Sequence, residues 1–489
     1  MIGDRRTIHA WNCSMLRAIN QTRRHRNQRR SLFAENPGLM THAHNTFSPF
    51  HRRRQQILSW MRSMGGGIAI LPTGPDISRN RDNHYAFRYD SDFFYLTGFT
   101  EANAWLVLIA GEADRSILFC EAKDPLRETW TGKRWGPTAA AEHFEFDQAF
   151  ATTELETQIP LLMTGLKNLF ANTSRSRSPQ YLTQLHAWIS TAQTTLRGAR
   201  ATPTHWLDIG ETLSEMRLIK DAHELDTMRR AAAISALGHV RAMQAAQPGR
   251  HEYELEAELL YVFRKNGAQS VAYDSIVAAG SNACTLHYRA GNTVMRDGDL
   301  VLIDAGCELD GYASDITRTF PANGRFSAAQ RALYEIVLAA QRAATACVSP
   351  AHHWNAAHEA AVRVLVQGLL DEKLLTGSLE KNIETESFKR FYMHRTGHWL
   401  GMDVHDVGEY RTPPAGAGER AWRTLAPGMV LTIEPGLYVT PSPDVPELFW
   451  NIGIRIEDDA VVTQHGCELM SRGVPVEIRD IEDLMQHKD

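Results

Sequence analysis

From about Phe47 onward the chain alternates short apolar runs with segments of helical period, and the order of these runs divides it into two halves. Residues 52–64 place Ile57, Trp60 and Met61 on one face at helical spacing. Four runs that read as strands follow, at 67–71, 93–97, 105–109 and 116–119. Helical segments alternate with them to about Leu196, which predicts an α/β domain. The Thr- and Pro-containing stretch 201–206 breaks the pattern and sets the domain boundary at 205. A long helix is expected after Asp221, because Asp221 and Glu224 form a D-x-x-E capping box, and Pro248-Gly249 ends it. A second helix spans about 251–266 with Leu255, Leu259, Val262 and Phe263 on its apolar face. Two more, at about 328–347 and 354–370, interrupt β-rich blocks irregularly, which predicts an α+β domain over 206–489.

Four of those β-rich blocks carry the chemistry. The first, LVLIDAGCELDGYASDITRTFP, contains Asp310-Gly311, a strong hairpin-turn signal. If these are the turn residues, Asp304 faces Thr317, and Asp315 lies two residues away on the same side. If the turn centres one residue earlier, Asp304 faces Asp315. Either register projects both carboxylates to one face, because strand side chains alternate with period two. Such a pair repels unless a proton or a cation sits between. Exposed hairpin aspartates are the plainer reading, but Asp304 ends an apolar run that should be buried.

The second block holds His394, His398 and His405 within 12 residues, and Gly397 and Gly401 argue against a helical zinc pair there. In the third, Glu434 ends an apolar run and is followed by Pro435-Gly436, so it is held at a strand end. In the fourth, Arg455 and Glu457 alternate with Ile454 and Ile456, which alone reads as an amphipathic edge strand. Together, four carboxylates and one imidazole can bind two divalent ions, and an oxygen-rich set favours Mn²⁺-type metals. Two such ions acidify a water and clamp charge developing on oxygen. No G-x-S-x-G elbow or Cys/His pair offers a competing nucleophile.

Composition narrows the class. With 43% apolar and 22% charged residues, the 489-residue chain is an ordinary globular enzyme of two or three domains. No run approaches the roughly 18 apolar residues of a membrane span. Six scattered cysteines without a CxxC pair predict reduced thiols and a cytoplasmic protein. The net charge of −5 is uneven: residues 1–46 carry eight Arg against Asp4 and Glu35, and the remaining body is acidic. An acidic body argues against nucleic-acid binding. Three readings stand for 1–46: a disordered tail with Met40 as the working start, a transit-type presequence, or a basic arm.

The blocks resemble those of aminopeptidase P (Xaa-Pro aminopeptidase), a group of the creatinase/methionine-aminopeptidase "pita-bread" family, M24. LVLIDAGCELDGYASDITRTFP, HWLGMDVHDVG, PGMVLTIEPGLY and IGIRIEDD carry the resemblance, with YDSDFFYLTGF and MRLIKDAHEL upstream. It covers nearly everything from about residue 49 onward. It implies an α/β N-terminal domain of creatinase/prolidase type at 47–205, then an α+β pita-bread catalytic domain at 206–489. It implies that Asp304, Asp315, His398, Glu434 and Glu457 hold two divalent ions, usually Mn²⁺. It implies removal of an N-terminal residue that precedes proline. His405 matches a His that bonds the substrate carbonyl as it becomes tetrahedral. His287 matches a substrate-contacting His, and Arg455 an Arg beside Glu457. Glu434 can also accept a proton.

The resemblance puts His394 at the proline pocket and Tyr273, Leu286 and Val404 at pocket positions, and it matches Tyr438 to a Tyr that stands behind the metal ligands, counted with Tyr273 among the substrate-side residues. Asp82 and Trp130 fall where the N-terminal domain of such enzymes reaches a neighbouring active site, so a homo-oligomer, dimer or tetramer, is expected. For Trp130 a half-buried surface aromatic is the plainer alternative. The chain departs from the family in a longer loop between Gly408 and Pro427, where Arg411, Arg420 and Arg423 are candidates to touch the distal end of a substrate. Prolidase is the nearest rival reading, and HWLG and YDSDFFYLTGF favour aminopeptidase P over it. A non-catalytic pita-bread binding module is a remoter rival, set against by the complete ligand positions.

Overall fold

The computed structural model describes residues 48–173, 180–195, 202–412 and 420–486. The Arg-rich stretch 1–46 lies outside them.

The N-terminal half is built on a six-stranded sheet. Its order is Gln148–Ala151, Arg115–Cys120, Trp105–Ala110, Gly67–Pro72, Asn168–Ala171 and His205–Asp208. The central strands pair antiparallel, and parallel strands flank them. Alternation sorts the side chains. Ala69, Leu71, Leu106 and Leu108 pack with Ile57, Leu58 and Met61 of the helix Pro49–Ser63 on one face. Ile68, Ile70, Val107 and Ile109 pack with Leu185, Trp188 and Ile159 on the other. Both faces are thus covered, and the strands read as near-continuous apolar runs.

Two expectations fail here. Residues 93–97 are not a strand but part of the helix Ser91–Thr97. Asp90 caps it, accepting from the Phe93 amide at 3.0 Å, and Gly98 closes it in the left-handed region with φ of 66°. These two caps override an aromatic run that alone favours extended backbone. The break at 201–206 also runs into a strand, His205–Asp208, which completes the sheet beside Asn168–Ala171. The sheet therefore ends at Asp208, beyond the expected boundary at 205.

The second half opens with the helix Ala222–Ala245, whose capping box forms as expected. Asp221 accepts from the amides of His223 and Glu224, and Glu224 accepts from the Asp221 amide at 2.9 Å. The helices Glu252–Lys265, Ala328–Ala346 and Ala356–Asp371 follow. They enclose short antiparallel sheets through one continuous apolar core. Ile276–Ala279, Leu300–Asp304 and Thr317–Pro321 form one sheet. Val430–Ile433, Asp458–Val462 and Cys467–Leu469 form another, and Gly436–Val439 pairs with Ile452–Arg455. The sheets interlock: the Glu457 amide donates to Thr317 O at 3.0 Å, and the Glu434 amide to Thr396 O at 2.8 Å. Those bonds bring the ends of four strands to one place.

The halves share a core. Leu400, Met402, Tyr312 and Val430 pack into the same apolar cluster as Phe93, Phe94 and Leu96. The five described cysteines are free thiols. No helix among the described residues is long and apolar enough to cross a membrane.

Candidate active site

The first hairpin adopts the register centred on Asp310-Gly311, with Asp304 opposite Thr317 and Leu309 opposite Tyr312. Both turn residues have positive φ, 49° and 81°, as a two-residue hairpin turn of this type requires. Between the turn and Asp304 the chain passes from one sheet to another at Ala305-Gly306. A Cβ on Gly306 would meet Ser314 O at 1.7 Å, so only glycine lets the two arms close. That closure brings Asp315 beside Asp304. The Tyr273 hydroxyl touches both, at 2.5 Å from Asp304 Oδ1 and in contact with Asp315 Oδ1.

The other groups arrive from the remaining strands. Arg455 donates through Nη2 to Asp304 Oδ2 at 2.5 Å, through Nε to Thr317 Oγ1 at 3.1 Å and through Nη1 to Tyr438 OH at 2.9 Å. The Thr317 hydroxyl donates to Glu457 Oε2 at 2.6 Å. His398 donates from Nδ1 to its neighbour's carbonyl, Trp399 O, at 3.0 Å. Its Nε2 then faces Asp315 Oδ2 at 3.4 Å and Glu434 Oε1 at 3.8 Å. Ligand-type atoms of Asp315, His398 and Glu457 all lie within 4.8 Å of one another.

This donor set fits a divalent cation. The Tyr273 hydroxyl has one proton for two carboxylate oxygens. With Nδ1 committed to a carbonyl, an Nε2 lone pair on His398 would face two carboxylates with nothing positive between them. Burial opposes charge on His398, yet Asp315 and Glu434 outweigh it and push its pKa up to about 9. Burial raises Glu434 to about 7, and burial with the facing carboxylates raises Asp315 and Glu457 as well. Burial would do the same to Asp304, but Arg455 outweighs it and holds that carboxyl below its usual range. One Arg and the raised His398 among four buried carboxylates still leave an excess of negative charge that a metal would neutralise.

A cavity of about 760 Å³ opens over these groups. Its walls include Ile276, Leu286 and Val404 as well as Trp354, Tyr410 and Trp422. His287, His394 and His405 also reach it. The His405 ring stacks on His398, centroids 3.9 Å apart at 23°. Burial and the charge at His398 push His405 down to about 4, so its imidazole is neutral near pH 7. His394 donates from Nδ1 to Arg395 O at 2.8 Å and accepts from the Tyr438 hydroxyl at 2.9 Å. Burial, then Arg455, takes its pKa down to about 3.

Comparison with known proteins gives this geometry a family. Residues 226–464 match metallopeptidase family M24, and residues 50–170 match the aminopeptidase P N-terminal domain. The chain is 42% identical to the Xaa-Pro aminopeptidase of Haemophilus influenzae, over 89% of this chain and 96% of that protein. It is 40% identical to the Escherichia coli Xaa-Pro aminopeptidase, over 89% and 97%. The structure of Pseudomonas aeruginosa aminopeptidase PepP superposes with a TM-score of 0.86 at 48% identity, covering 90% of this chain and 98% of that one.

The chain belongs to the aminopeptidase P family of M24 metallopeptidases.

Its fold is accordingly an aminopeptidase P N-terminal domain followed by a pita-bread catalytic domain. A zinc-substituted Escherichia coli aminopeptidase P, seen with product, superposes with a TM-score of 0.85 at 39% identity and covers 90% of this chain. Of the residues expected at an aminopeptidase P site, Asp304, Asp315, His398, Glu434, Glu457, Arg455, His287, His394, His405 and Tyr273 all line the cavity. Tyr438 does not. Its ring is buried behind the wall, and its hydroxyl joins Arg455 to His394, so it orients those two rather than meeting a substrate directly. Asp82 and Trp130 stand away from this cavity on the N-terminal domain. Trp130 is 87% exposed, not half-buried.

None of the three loop arginines lines the cavity. Arg423 pairs with Glu215 at 2.7 Å, Arg420 with Glu409 at 3.1 Å, and Arg411 stacks on Trp422 at 3.7 Å. Residues 413–419 of that loop lie outside the described residues. Besides Arg455, the arginines that do reach the cavity are Arg289, paired with Asp274 at 2.7 Å, and Arg395. Sequence reading missed Arg395 and the Trp354–Tyr410 wall, whose rings meet at 4.4 Å. It also missed Asp459, which is buried and accepts from the Asp315 amide at 3.2 Å. Asp459 was legible as half of the Asp458-Asp459 pair inside an apolar strand.

Proposed function

We propose that this chain is a Xaa-Pro aminopeptidase that holds two divalent ions, Mn²⁺ in the working enzyme, and releases the N-terminal residue from peptides with proline in second position. The observation that carries the reading is the convergence, under one cavity, of four carboxylates and an imidazole whose free nitrogen is turned toward two of them. Asp304, Asp315, His398, Glu434 and Glu457 would hold the metal. When bound, the ions polarise the scissile carbonyl and lower the pKa of a water.

The chain's own residues do the rest. Glu434 takes the proton of the attacking water. Neutral His405 donates a hydrogen bond to the carbonyl oxygen as charge grows there. Arg455 keeps Asp304 ionised and, through Tyr438, fixes the His394 tautomer. An X–Pro bond is a tertiary amide without an N–H, so strand-like backbone pairing cannot recognise it. The ring must be read by shape, by His394, Tyr273, Leu286 and Val404 in this reading. His287 contacts the bound peptide from the exposed rim. The reading includes a cytoplasmic homo-oligomer, supported by the free thiols and by exposed Trp130 and Asp82, which would reach a neighbour's cavity.

The test uses protein stripped with a chelator and assayed on Xaa-Pro-Yaa tripeptides with and without added Mn²⁺. Release of the first residue, restored by Mn²⁺, is the expected result. Cleavage of Xaa-Pro dipeptides alone would make the chain a prolidase instead. No cleavage of either, with metal bound, would sink the substrate assignment.

A further inference from the structure

Residues 401–407 carry His405 across the cavity wall without forming a helix or a strand. Among the described residues the His405 ring makes no hydrogen bond; its one directional contact is the stack on His398. Its position therefore depends on what holds the chain on either side. Two aspartates flank it, Asp403 and Asp406, and both enter a largely buried ionic cluster.

Arg217 sits at the centre of that cluster, on the helix Gly210–Leu218 between the two halves. Its Nη2 donates to Asp406 Oδ1 at 2.6 Å and to Asp403 Oδ2 at 2.8 Å, and its Nη1 to Asp92 Oδ1 at 2.7 Å. Lys220 reaches the other oxygen of Asp406 at 3.0 Å. The Ser91 hydroxyl donates to Asp403 Oδ1 at 2.9 Å, and Arg88 donates to Met402 O at 2.8 Å. The side chains of Arg217, Lys220 and Asp406 are 3%, 1% and 1% exposed. Space is kept for this arrangement. A Cβ on Gly401 would lie 2.1 Å from Asp406 Oδ2 and 3.0 Å from Lys220 Cε.

Burying so many charges is a poor route to stability, since apolar side chains of similar volume would do as well or better. What the cluster supplies is direction. A planar guanidinium fork holds two carboxylates at fixed angles, and those carboxylates bracket the residue that carries the imidazole. The fork is itself fixed from the N-terminal half by Asp92, which also accepts from Asn172 at 2.7 Å.

We propose that Arg217 is a positioning residue for His405, acting through Asp403 and Asp406, so that the N-terminal half helps to set the carbonyl side of the active site. This rests on the reading above, in which His405 bonds the substrate carbonyl.

The test is a double-mutant cycle on the full chain loaded with Mn²⁺, with an Xaa-Pro-Yaa substrate. Its members are wild type, Arg217→Lys, His405→Ala and the double variant. Arg217→Lys keeps the charge and loses the fork. It should lower kcat about 10- to 100-fold while KM stays within about threefold. Added to His405→Ala, it should cost nothing further in kcat. Equal losses in both backgrounds, or an unchanged kcat in the single variant, overturn the proposal. If His405→Ala leaves kcat intact, the role given to His405 falls and this inference with it. If His405→Ala lowers kcat and the cycle is additive, that role stands and only the part of Arg217 fails. Metal content and melting temperature are followed throughout. Should Arg217→Lys not fold, Asp403→Asn, at the cluster's more exposed carboxylate, enters the same cycle with the same two outcomes.

Discussion

His239 shows what a single buried group contributes to the pH response of the molecule. It is fully buried within the helix Ala222–Ala245, and its Nε2 lies 2.9 Å from Ala305 O. A carbonyl accepts, so Nε2 carries the proton and the unpartnered Nδ1 is a bare lone pair. Burial pushes the pKa from 6.5 to about 4, and the nearby charge of Arg318 adds to this. Between those two values the unfolded chain binds more protons than the folded one. Stability from this group is therefore complete above pH 6.5 and declines as the pH falls towards 4, by up to ~3 kcal/mol. Urea midpoints at pH 5 and pH 7 test this. The drop between them should be smaller in His239→Gln than in the wild type, and an equal drop would place the acid sensitivity elsewhere. Residues such as this are hard to read from sequence because their partners are distant along the chain. Asp304 and Glu434 were legible because each ends its own apolar run. Arg217 and Arg395 act on groups that only the fold brings near.

The hairpin from Leu300 to Pro321 shows how far local pattern reaches. Its turn and register follow from Asp310-Gly311 and period-two alternation, and Asp304 does face Thr317. The passage between sheets at Gly306 does not follow from that pattern, because what demands glycine is the Ser314 carbonyl on the opposite arm. Gly306→Ala should separate the arms, costing about 1–3 kcal/mol as an overpacked site. It should also weaken Mn²⁺ binding, because Asp304 and Asp315 stand on opposite sides of the strained point. Gly298→Ala is the control. Its backbone is left-handed, with φ of 85°, so the substitution strains it as well, but nothing lies within 4 Å of the added carbon. Calorimetric Mn²⁺ titration of both should show a weakened affinity in Gly306→Ala alone. Equal affinities would mean the passage does not govern the ligand spacing. The helix Ser91–Thr97 marks the limit of such reading. Its aromatic run suggests a strand until the caps on both sides are counted together.

The whole chain folds around an electrostatic debt that its own residues settle incompletely. Arg455 answers Asp304, while Asp315, Glu434 and Glu457 remain buried against one another with their acidities suppressed. A cation that binds the folded state and not the unfolded one should raise stability by about 2.7 kcal/mol at a hundredfold excess over its dissociation constant. Melting temperature should therefore rise with added Mn²⁺, saturate, and fall again with a chelator. That response alone would fit binding anywhere on an acidic surface, so the decisive variant is Asp315→Asn. It preserves shape and removes one of the repelling charges. Without metal it should melt higher than the wild type, by roughly 2 °C or more, because like-charge repulsion is relieved. With metal it should gain little, because a ligand has been lost. The same substitution would then stabilise the empty protein and abolish activity. This crossing of the two curves ties the metal response to these carboxylates. If Asp315→Asn melts lower without metal and still gains fully from Mn²⁺, the ion binds elsewhere, and the charge argument for this site fails.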